Sequence, residues 1–231
     1  MSAPTITIKH HSVRTRILVT IQETETGKVV SQDIIVGEAT DVLPNLRPQK
    51  YEIGIGMLQS LATSFTISLR KLSTAEPFGP GIATHFFKPS TFEFFGVDLN
   101  NVQLVNAPKP AEHRIQFLGA SDTAGYCVDG TTETSFIQEG ILGWRYENCD
   151  SGYVSLVGQS LDADIEVFAI SGIGLTQNAR MKQQWQLGPL PLPGFYNRTM
   201  ESDKSEETVW DPARFEPELV VISLGGNDYN H

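Results

Sequence analysis

The stretch FLGASDTAGY, residues Phe117–Tyr126, decides the fold of the second half of this chain. Its apolar start is typical of a buried strand, and Gly119 allows a tight turn that presents the polar residues behind it. A second stretch, VVISLGGND at Val220–Asp228, has the same order of apolar run, glycine turn and polar residues. Because open α/β sheets place their sites at the carboxyl ends of strands, both stretches predict an α/β domain with a site at that edge.

Strands and a helix alternate along residues 111–231, which we predict to form the second domain. The predicted elements are, in order, Arg114–Leu118, the helix Tyr153–Leu161, Ile165–Ile170 and Glu218–Leu224. Asp150 or Ser151 is available to cap the helix. Strands that alternate with helices imply a doubly wound parallel sheet, so the predicted class of this domain is α/β.

Residues 1–108 have the pattern of an all-β domain. Short β-type runs are separated by turn signals; they are Thr5–Lys9, Arg14–Ile21, Val29–Val36, Tyr51–Ile55, Ser64–Leu69 and Phe92–Val97. Several short strands with regular turns predict a β-sandwich. The two prolines in Asn106–Pro110 deny backbone donors and favour extended backbone, so this segment is the predicted linker between the domains.

The composition excludes some classes of function. The chain has 231 residues and a formal net charge of -10, so no basic surface for a nucleic-acid partner is expected. It has no apolar run of about 18 residues, and no membrane-spanning helix is predicted. The first residues, Met1–Thr5, lack the basic and apolar regions of a signal peptide, which leaves either an intracellular protein or an N-terminus upstream of this chain.

Three residues at predicted strand ends are candidates for acyl-transfer chemistry. Ser121 lies two residues past Gly119, where a helix N-terminus would favour developing negative charge; a serine N-cap without chemistry is the alternative. Gly172, in a turn after the second predicted strand, offers a backbone N–H, and the side-chain amide of Asn227 offers a further donor. Asp228, beside it, is a candidate for orienting this loop, although an ordinary turn explains the same residues.

The motifs resemble those of a known family. GASDTAGY at Gly119–Tyr126, SGIG at Ser171–Gly174 and GGND at Gly225–Asp228, in this order, are similar to the first three blocks of the SGNH (GDSL-type) hydrolases. Within that superfamily the chain resembles the second family of carbohydrate esterases, which pair an N-terminal jelly-roll with a C-terminal SGNH domain. The stretches Ile67–Lys71 and His113–Gly119 also resemble that family's domain junction.

The resemblance implies a fold and an activity. It implies a flavodoxin-like, three-layer α/β/α domain over residues 111–231 and a jelly-roll over residues 1–108. Ser121 would be the nucleophile that attacks an acetyl ester, and the N–H groups of Ser121 and Gly172, with the amide of Asn227, would hold the oxyanion. The family needs no metal or cofactor and removes acetyl groups from plant-type polysaccharides or simple sugar esters, which are the implied partners.

Two departures from the family pattern lead us to expect an impaired enzyme. Ala120 stands where the family has an aspartate before the nucleophile, and the final block, an aspartate followed three residues later by the catalytic histidine, has no counterpart. Four histidines precede the nucleophile and are expected to be exposed or structural, and a fifth follows the third block on the wrong element: His10, His11, His85, His113 and His231. Without a base, a serine hydroxyl is a weak nucleophile.

Sheet packing leads separately to the expectation that the chain is truncated before the histidine block. Leu219–Leu224 is a nearly continuous apolar run, which is typical of a strand buried on both faces. In a flavodoxin-like order the third strand is internal, whereas here nothing follows to cover it, and it would form an exposed edge. A base supplied by another chain of an oligomer is a further alternative.

Other residues leave alternatives open. The second class of function is a carbohydrate-binding or scaffold protein that has lost catalysis. In such a protein an aromatic side chain would stack on a sugar ring instead of packing in the core, and the candidates are Trp144, Tyr146 and Trp210. Cys127 and Cys149 are either free thiols or one disulfide. Asn197 begins a glycosylation sequon, which fits the secreted or extracellular location that the resemblance suggests.

Overall fold

The computed structural model of the protein describes residues 3–37, 49–58, 60–73, 90–131, 143–179, 191–196 and 209–229. The described residues are mostly β-structure with a few short helices. Contacts divide the chain into two compact units: unit 1 is Met1–Lys71 with Thr91–Lys109, and unit 2 is Leu72–Ser90 with Pro110–His231. The predicted domain limits, 1–108 and 111–231, stay a prediction.

Unit 1 has two antiparallel sheets in its described part. The strands are β1 (Thr5–Val13), β2 (Thr15–Glu23), β3 (Val29–Gly37), β4 (Gln49–Gly54), β5 (Phe65–Lys71) and β6 (Thr91–Asn100). One sheet has the order β4-β1-β6 and the other has the order β3-β2-β5. A strand lies at each position where the sequence predicts one, and each strand is longer than the predicted run.

The period-two pattern of the sequence produces the core of unit 1. In β2 the buried residues Ile17, Val19 and Ile21 alternate with less buried neighbours. They belong to one apolar cluster with Ile8 of β1 and Ile53 of β4, so both sheets contribute to the same core. The arrangement is that of packed sheets, and the jelly-roll connection of the strands stays a prediction.

His10 is a buried titratable group in unit 1. Its side chain belongs to a residue that is 3% exposed, and its Nδ1 lies 2.7 Å from the hydroxyl oxygen of Ser12. The ring stacks on Phe92, with the two ring centroids 5.9 Å apart. Burial, and after it the charge of neighbouring His11, lowers the pKa of His10.

We predict that acid weakens unit 1 through His10. The imidazole of His10 binds a proton more readily in the unfolded chain, where its pKa is 6.5, than in the folded chain. The free energy of unfolding therefore decreases as pH falls through 6.5, and it stops decreasing below the folded-state pKa. NMR titration of the imidazole signals measures this pKa. Urea unfolding followed by circular dichroism, between about pH 8 and pH 5, measures the stability.

Two histidine variants control that experiment. His10→Gln should flatten the decrease in stability. His113→Gln should leave the decrease of unit 1 unchanged, because His113 lies in unit 2, where Glu218 raises the pKa of His113 and the pair stabilises that unit as pH falls. A titration midpoint of His10 at or above 6.5 would contradict the prediction.

Unit 2 is built on a parallel sheet of three described strands. They are β7 (His113–Gly119), β8 (Ala163–Ala169) and β9 (Leu219–Ser223), in the order β8-β7-β9. The central strand β7 is buried on both faces: Phe117 packs with Val154 on one side, and Leu118 packs with Ile170 and Leu192 on the other. The parallel pairing predicted for these strands is therefore confirmed.

Unit 2 has two short α-helices in its described part, α1 (Ser121–Ala124) and α2 (Tyr153–Ser160). The prediction that Asp150 or Ser151 caps α2 is wrong, because the N-cap is Gly152 and no side chain caps it. The side-chain oxygen of Asn148 instead accepts from the N–H of Ser151, at 3.1 Å, and closes the turn that leads into the helix. No helix in the described part of the chain is both long and apolar enough to cross a membrane.

Strand β9 is an exposed, apolar edge within the described sheet. Leu219, Val220 and Ile222 are 52%, 45% and 62% exposed. Among the described residues β9 pairs only with β7, so its outer edge presents unpaired backbone groups beside apolar side chains. Such an edge favours self-association, and the expectation of an exposed edge at this strand is confirmed for the described residues.

Candidate active site

The three parallel strands end at one edge of the sheet. Gly119 at the end of β7 is in register with Ala169 at the end of β8 and with Ser223 at the end of β9. Ser121, Gly172 and Asn227 follow these three strand ends by two, three and four residues. The structure thus places the loops of all three predicted site residues at the same edge, which we call the site edge.

A tight turn places Ser121 at the start of α1. Ala120 is the N-cap residue, with φ −114° and ψ −145°, so the alternative in which Ser121 serves as N-cap is not observed. Gly125 ends the helix in the left-handed region with φ 74°. Glycine is required at Gly119 because a Cβ there would overlap the side chain of Thr123.

The hydroxyl of Ser121 has no hydrogen-bond partner among the residues that the structure describes. The residue itself is half-buried. His113, the histidine of unit 2 in the described part, lies at the amino end of β7, and a strand of this length separates it from the site edge by about 20 Å. It is exposed, and its Nδ1 lies 3.0 Å from Glu218 Oε2, whose hydrogen bond and charge raise the pKa of His113.

The remaining histidines supply no observed base for Ser121. His10 and His11 belong to unit 1, where they are near Ser12 and Glu93. His85 and His231 lie outside the described residues. The described residues therefore bring together a serine and candidate oxyanion donors, without a base hydrogen-bonded to the serine.

The loop Ser171–Gly174 is held in place by two buried polar groups. Ser171 Oγ donates to Glu147 Oε1 at 3.2 Å, and both residues are fully buried. The N–H of Gly174 donates to Asn178 Oδ1 at 3.0 Å. Gly172 has φ 81°, a left-handed conformation that favours glycine, so its N–H direction is fixed by a backbone that few other residues adopt.

Asn227 is anchored to the same loop. Its Nδ2 donates to the backbone carbonyl of Ile173 at 2.7 Å. A side-chain amide carries two N–H donors, and this bond uses one of them. The second N–H remains available for an oxyanion, which fits the role predicted for Asn227.

Asp228 accepts hydrogen bonds from a neighbouring loop. Its carboxylate accepts from the N–H of Leu175 at 2.9 Å, from the N–H and hydroxyl of Thr176 at 2.6 and 2.7 Å, and from the N–H of Gln177 at 3.1 Å. Burial alone would raise the pKa of Asp228, but these hydrogen bonds outweigh it and hold the pKa well below its usual range. The carboxylate therefore stays charged at neutral pH.

Two contacts at the site edge were not predicted from the sequence. Ser223 Oγ donates to Asp122 Oδ2 at 3.1 Å and ties the end of β9 to the helix that begins at Ser121. Glu147, the acceptor for Ser171, was also missed, because it follows no strand end and belongs to no motif.

The structure also bears on several further residues that the sequence analysis considered. Trp144 is 1% exposed and packs in the core, so the alternative in which it stacks on a sugar is wrong; Tyr146 and Trp210 are partly exposed. Cys127 and Cys149 are reduced thiols and do not form the alternative disulfide. The sequon at Asn197 lies outside the described residues. Within the described ranges no group of three or more His, Cys, Asp or Glu residues could hold a metal ion.

Comparisons with known proteins give two curated relatives. No family model matches the chain. It is 34% identical over 139 residues to the cellulase/esterase CelE of Acetivibrio thermocellus, a match that covers 60% of this chain and 15% of the relative. It is 27% identical over 132 residues to an acetylxylan esterase/glucomannan deacetylase of Cellvibrio japonicus, with 57% of this chain and 34% of the relative covered.

Solved structures give the fold over nearly the whole chain. A family two carbohydrate esterase from Clostridium thermocellum, in complex with cellohexaose, has a TM-score of 0.67 and 22% identity, and the match covers 98% of this chain and 57% of that chain. A family two carbohydrate esterase from Cellvibrio japonicus has a TM-score of 0.67 and 19% identity, with 99% and 57% covered.

The relatives and the structural neighbours are carbohydrate esterases. The chain has the fold of the corresponding part of these enzymes and spans between a seventh and three fifths of their lengths.

Proposed function

We propose that this chain carries the nucleophile and the oxyanion donors of a carbohydrate O-acetyl esterase. Ser121 is the nucleophile, and the N–H groups of Ser121 and Gly172 with the amide of Asn227 form the oxyanion hole. The observation that carries the proposal is the anchored amide of Asn227. One N–H of this amide donates to the carbonyl of Ile173, and the other remains available at the site edge, where Ser121 begins α1. Units 1 and 2 are proposed to correspond to the jelly-roll and SGNH hydrolase domains.

The proposed reaction is acyl transfer to serine. Ser121 Oγ forms a bond to the acetyl carbonyl carbon and gives its proton to a base, while the carbonyl oxygen takes on negative charge that the three donors stabilise. Collapse of this intermediate breaks the bond to the sugar oxygen, which takes up the proton. Water then hydrolyses the acetyl-serine, releasing acetate.

The substrate class is proposed from the relatives. One relative is named an acetylxylan esterase and glucomannan deacetylase, and one structural neighbour holds cellohexaose. Both names point to polysaccharides of β-linked sugars. We therefore propose an acetylated plant polysaccharide, or a sugar ester derived from one, as the partner of this site.

The activity of this chain is proposed to be impaired for want of a base. The hydroxyl of Ser121 has no base hydrogen-bonded to it among the described residues, and losing one member of a catalytic triad can cost as much as losing all of it. The same observation favours a second candidate function, a carbohydrate-binding remnant that no longer turns over esters.

Added imidazole tests the proposal, because it can replace a missing histidine. Release of 4-nitrophenol from 4-nitrophenyl acetate is measured with and without imidazole. We expect imidazole to raise the Ser121-dependent rate about tenfold, less than the 10²–10⁴-fold that a positioned base contributes. Ser121→Ala should abolish this increase and leave only hydrolysis by imidazole itself.

Ser160→Ala is the matched control. Ser160 is an exposed serine whose hydroxyl donates to the carbonyl of Leu156, away from the site edge. Its variant should keep the full imidazole-dependent increase. If the folded wild-type protein and Ser121→Ala have equal rates at every imidazole concentration, the result supports the carbohydrate-binding remnant. Titration of the wild-type protein with xylan oligosaccharides would then test for binding.

A further inference from the structure

The carboxylate of Asp228 joins two loops that belong to different strands. Asp228 itself follows β9, whereas the three N–H groups that it accepts, those of Leu175, Thr176 and Gln177, follow β8. The side-chain amide of Gln177 donates back to the backbone carbonyl of Asp228, so the attachment is made from both sides. These contacts are between residues more than 50 positions apart in the sequence, and they bring the Asn227 loop against the Gly172 loop.

The packing around this attachment is tight. A Cβ on Gly174 would overlap the backbone carbonyl of Gln177 and would lie 2.7 Å from Asp228 Oδ2. Ile173, which lies between Gly172 and Gly174, is fully buried and accepts the Asn227 amide. The attachment therefore leaves little freedom for Gly172 or for the amide of Asn227 to move relative to each other.

We propose that Asp228 is the positioning residue of the oxyanion hole. By holding the segment 175–177, it sets the distance between the N–H of Gly172 and the amide of Asn227, both of which must reach the same oxygen. The proposal rests on the proposed function of Ser121, Gly172 and Asn227. Asp228 itself does not contact the substrate in this arrangement, because its carboxylate already accepts hydrogen bonds from four donors.

A charged acceptor is needed for this arrangement. Three N–H groups of successive residues point at one carboxylate, which is the geometry of a small anion-binding nest. In Asp228→Asn, one of the two oxygens becomes an NH₂ group that faces N–H donors and repels them. The variant keeps the size of the side chain, so the loss is one of hydrogen bonding and charge and not of packing.

Methylboronic acid is the probe that separates this proposal from the proposed function. Its boron takes up the oxygen of Ser121, forming a B–O bond and a tetrahedral anion, while the hydroxyl proton passes to the buffer. The adduct needs the serine and the oxyanion donors but no turnover. Its affinity is measured by ¹¹B NMR titration, and kcat and KM for 4-nitrophenyl acetate are measured in imidazole.

We expect Asp228→Asn to weaken boronate binding and to lower kcat about 10–100-fold, the range that a misplaced group costs, with KM changed by no more than about twofold. Asp211→Asn is the matched control, because Asp211 also accepts a backbone N–H, that of Ala213 at 3.0 Å, in another loop. It should change neither readout. Circular dichroism and urea unfolding verify that both variants are folded.

The outcomes are distinct. The wild-type protein could bind the boronate through Ser121, as shown by loss of binding in Ser121→Ala, and still turn over no ester. That result would refute the proposed activity, but the effect of Asp228→Asn on boronate affinity could still be measured. Equal boronate affinity in Asp228→Asn and Asp211→Asn would overturn the positioning role. A wild-type protein that forms no Ser121 adduct has no preformed oxyanion hole, and that result would overturn it as well.

Discussion

Replacing Asn227 by alanine is expected to lower the kcat of the Ser121-dependent reaction about 10²–10³-fold and to leave KM within about twofold. The amide N–H that remains after the bond to Ile173 is aimed at negative charge, which develops in the transition state and is absent from the ester. An interaction made only in the transition state lowers kcat when it is removed. The loss corresponds to about 2.7–4 kcal/mol.

The measurement is the imidazole-dependent release of 4-nitrophenol, corrected with Ser121→Ala. Asn100→Ala is the matched control, because the amide of Asn100 also donates to a backbone carbonyl, that of Ala3 at 3.0 Å, in unit 1. It should leave the rate unchanged. If Asn227→Ala raised KM and spared kcat, Asn227 would bind the substrate rather than the oxyanion, and the assignment would be wrong.

The parts of the site that could be predicted are those with a local signal. Ser121 and Asn227 each follow an apolar run and a glycine, and Gly172 lies in the turn after its apolar run; these features are visible within ten residues of sequence. Parallel pairing then brings the three loops to one edge, because β7, β8 and β9 end in register. Strand and turn patterns thus predicted the location of the loops, although they say nothing of the roles that these residues have.

The parts that could not be predicted depend on contacts distant in sequence. Glu147 meets Ser171 across 24 residues, and Asp122 meets Ser223 across 101. A carboxylate in an irregular segment carries no periodic signal, and its acceptor role is fixed only when the other element packs beside it. The failed helix cap has a local cause: the side chain of Asn148 accepts from the N–H of Ser151 in the turn before α2, and the helix begins after Gly152 without a side-chain cap.

Asp228 shows how far a local motif can be taken. Its position after Asn227 suggested that it orients its own loop, and the structure adds that its partners lie in the loop after β8. The glycines beside these loops are explained in the same way: Gly172 by a positive φ, and Gly174 by the close approach of Gln177 and Asp228. The GGND and SGIG motifs therefore act on each other, which neither motif reveals alone.

Phe117→Ala is expected to lower the free energy of unfolding of unit 2 by about 3–5 kcal/mol, a large part of the 5–15 kcal/mol typical of whole proteins. Phe117 is 2% exposed at the centre of β7, where it packs with Ile115 and Val154. Its ring meets that of Tyr153 edge to face, with the centroids 6.0 Å apart. Removing the ring leaves a cavity between β7 and α2, and strands paired on both sides of β7 limit how far the cavity can collapse.

The same substitution should also disturb the site. The hydroxyl of Tyr153 lies 2.9 Å from Thr123 Oγ1 in α1, so the ring that Phe117 supports is linked to the helix that begins at Ser121. Urea unfolding followed by tryptophan fluorescence reports on unit 2, because Trp144, Trp185 and Trp210 are the three tryptophans of the sequence and all follow residue 110. Leu156→Ala is the matched control: Leu156 is 56% exposed on α2, and its loss should cost no more than about 0.5 kcal/mol. Equal unfolding midpoints for the two variants would mean that the packing of β7 on α2 does not determine the stability of unit 2.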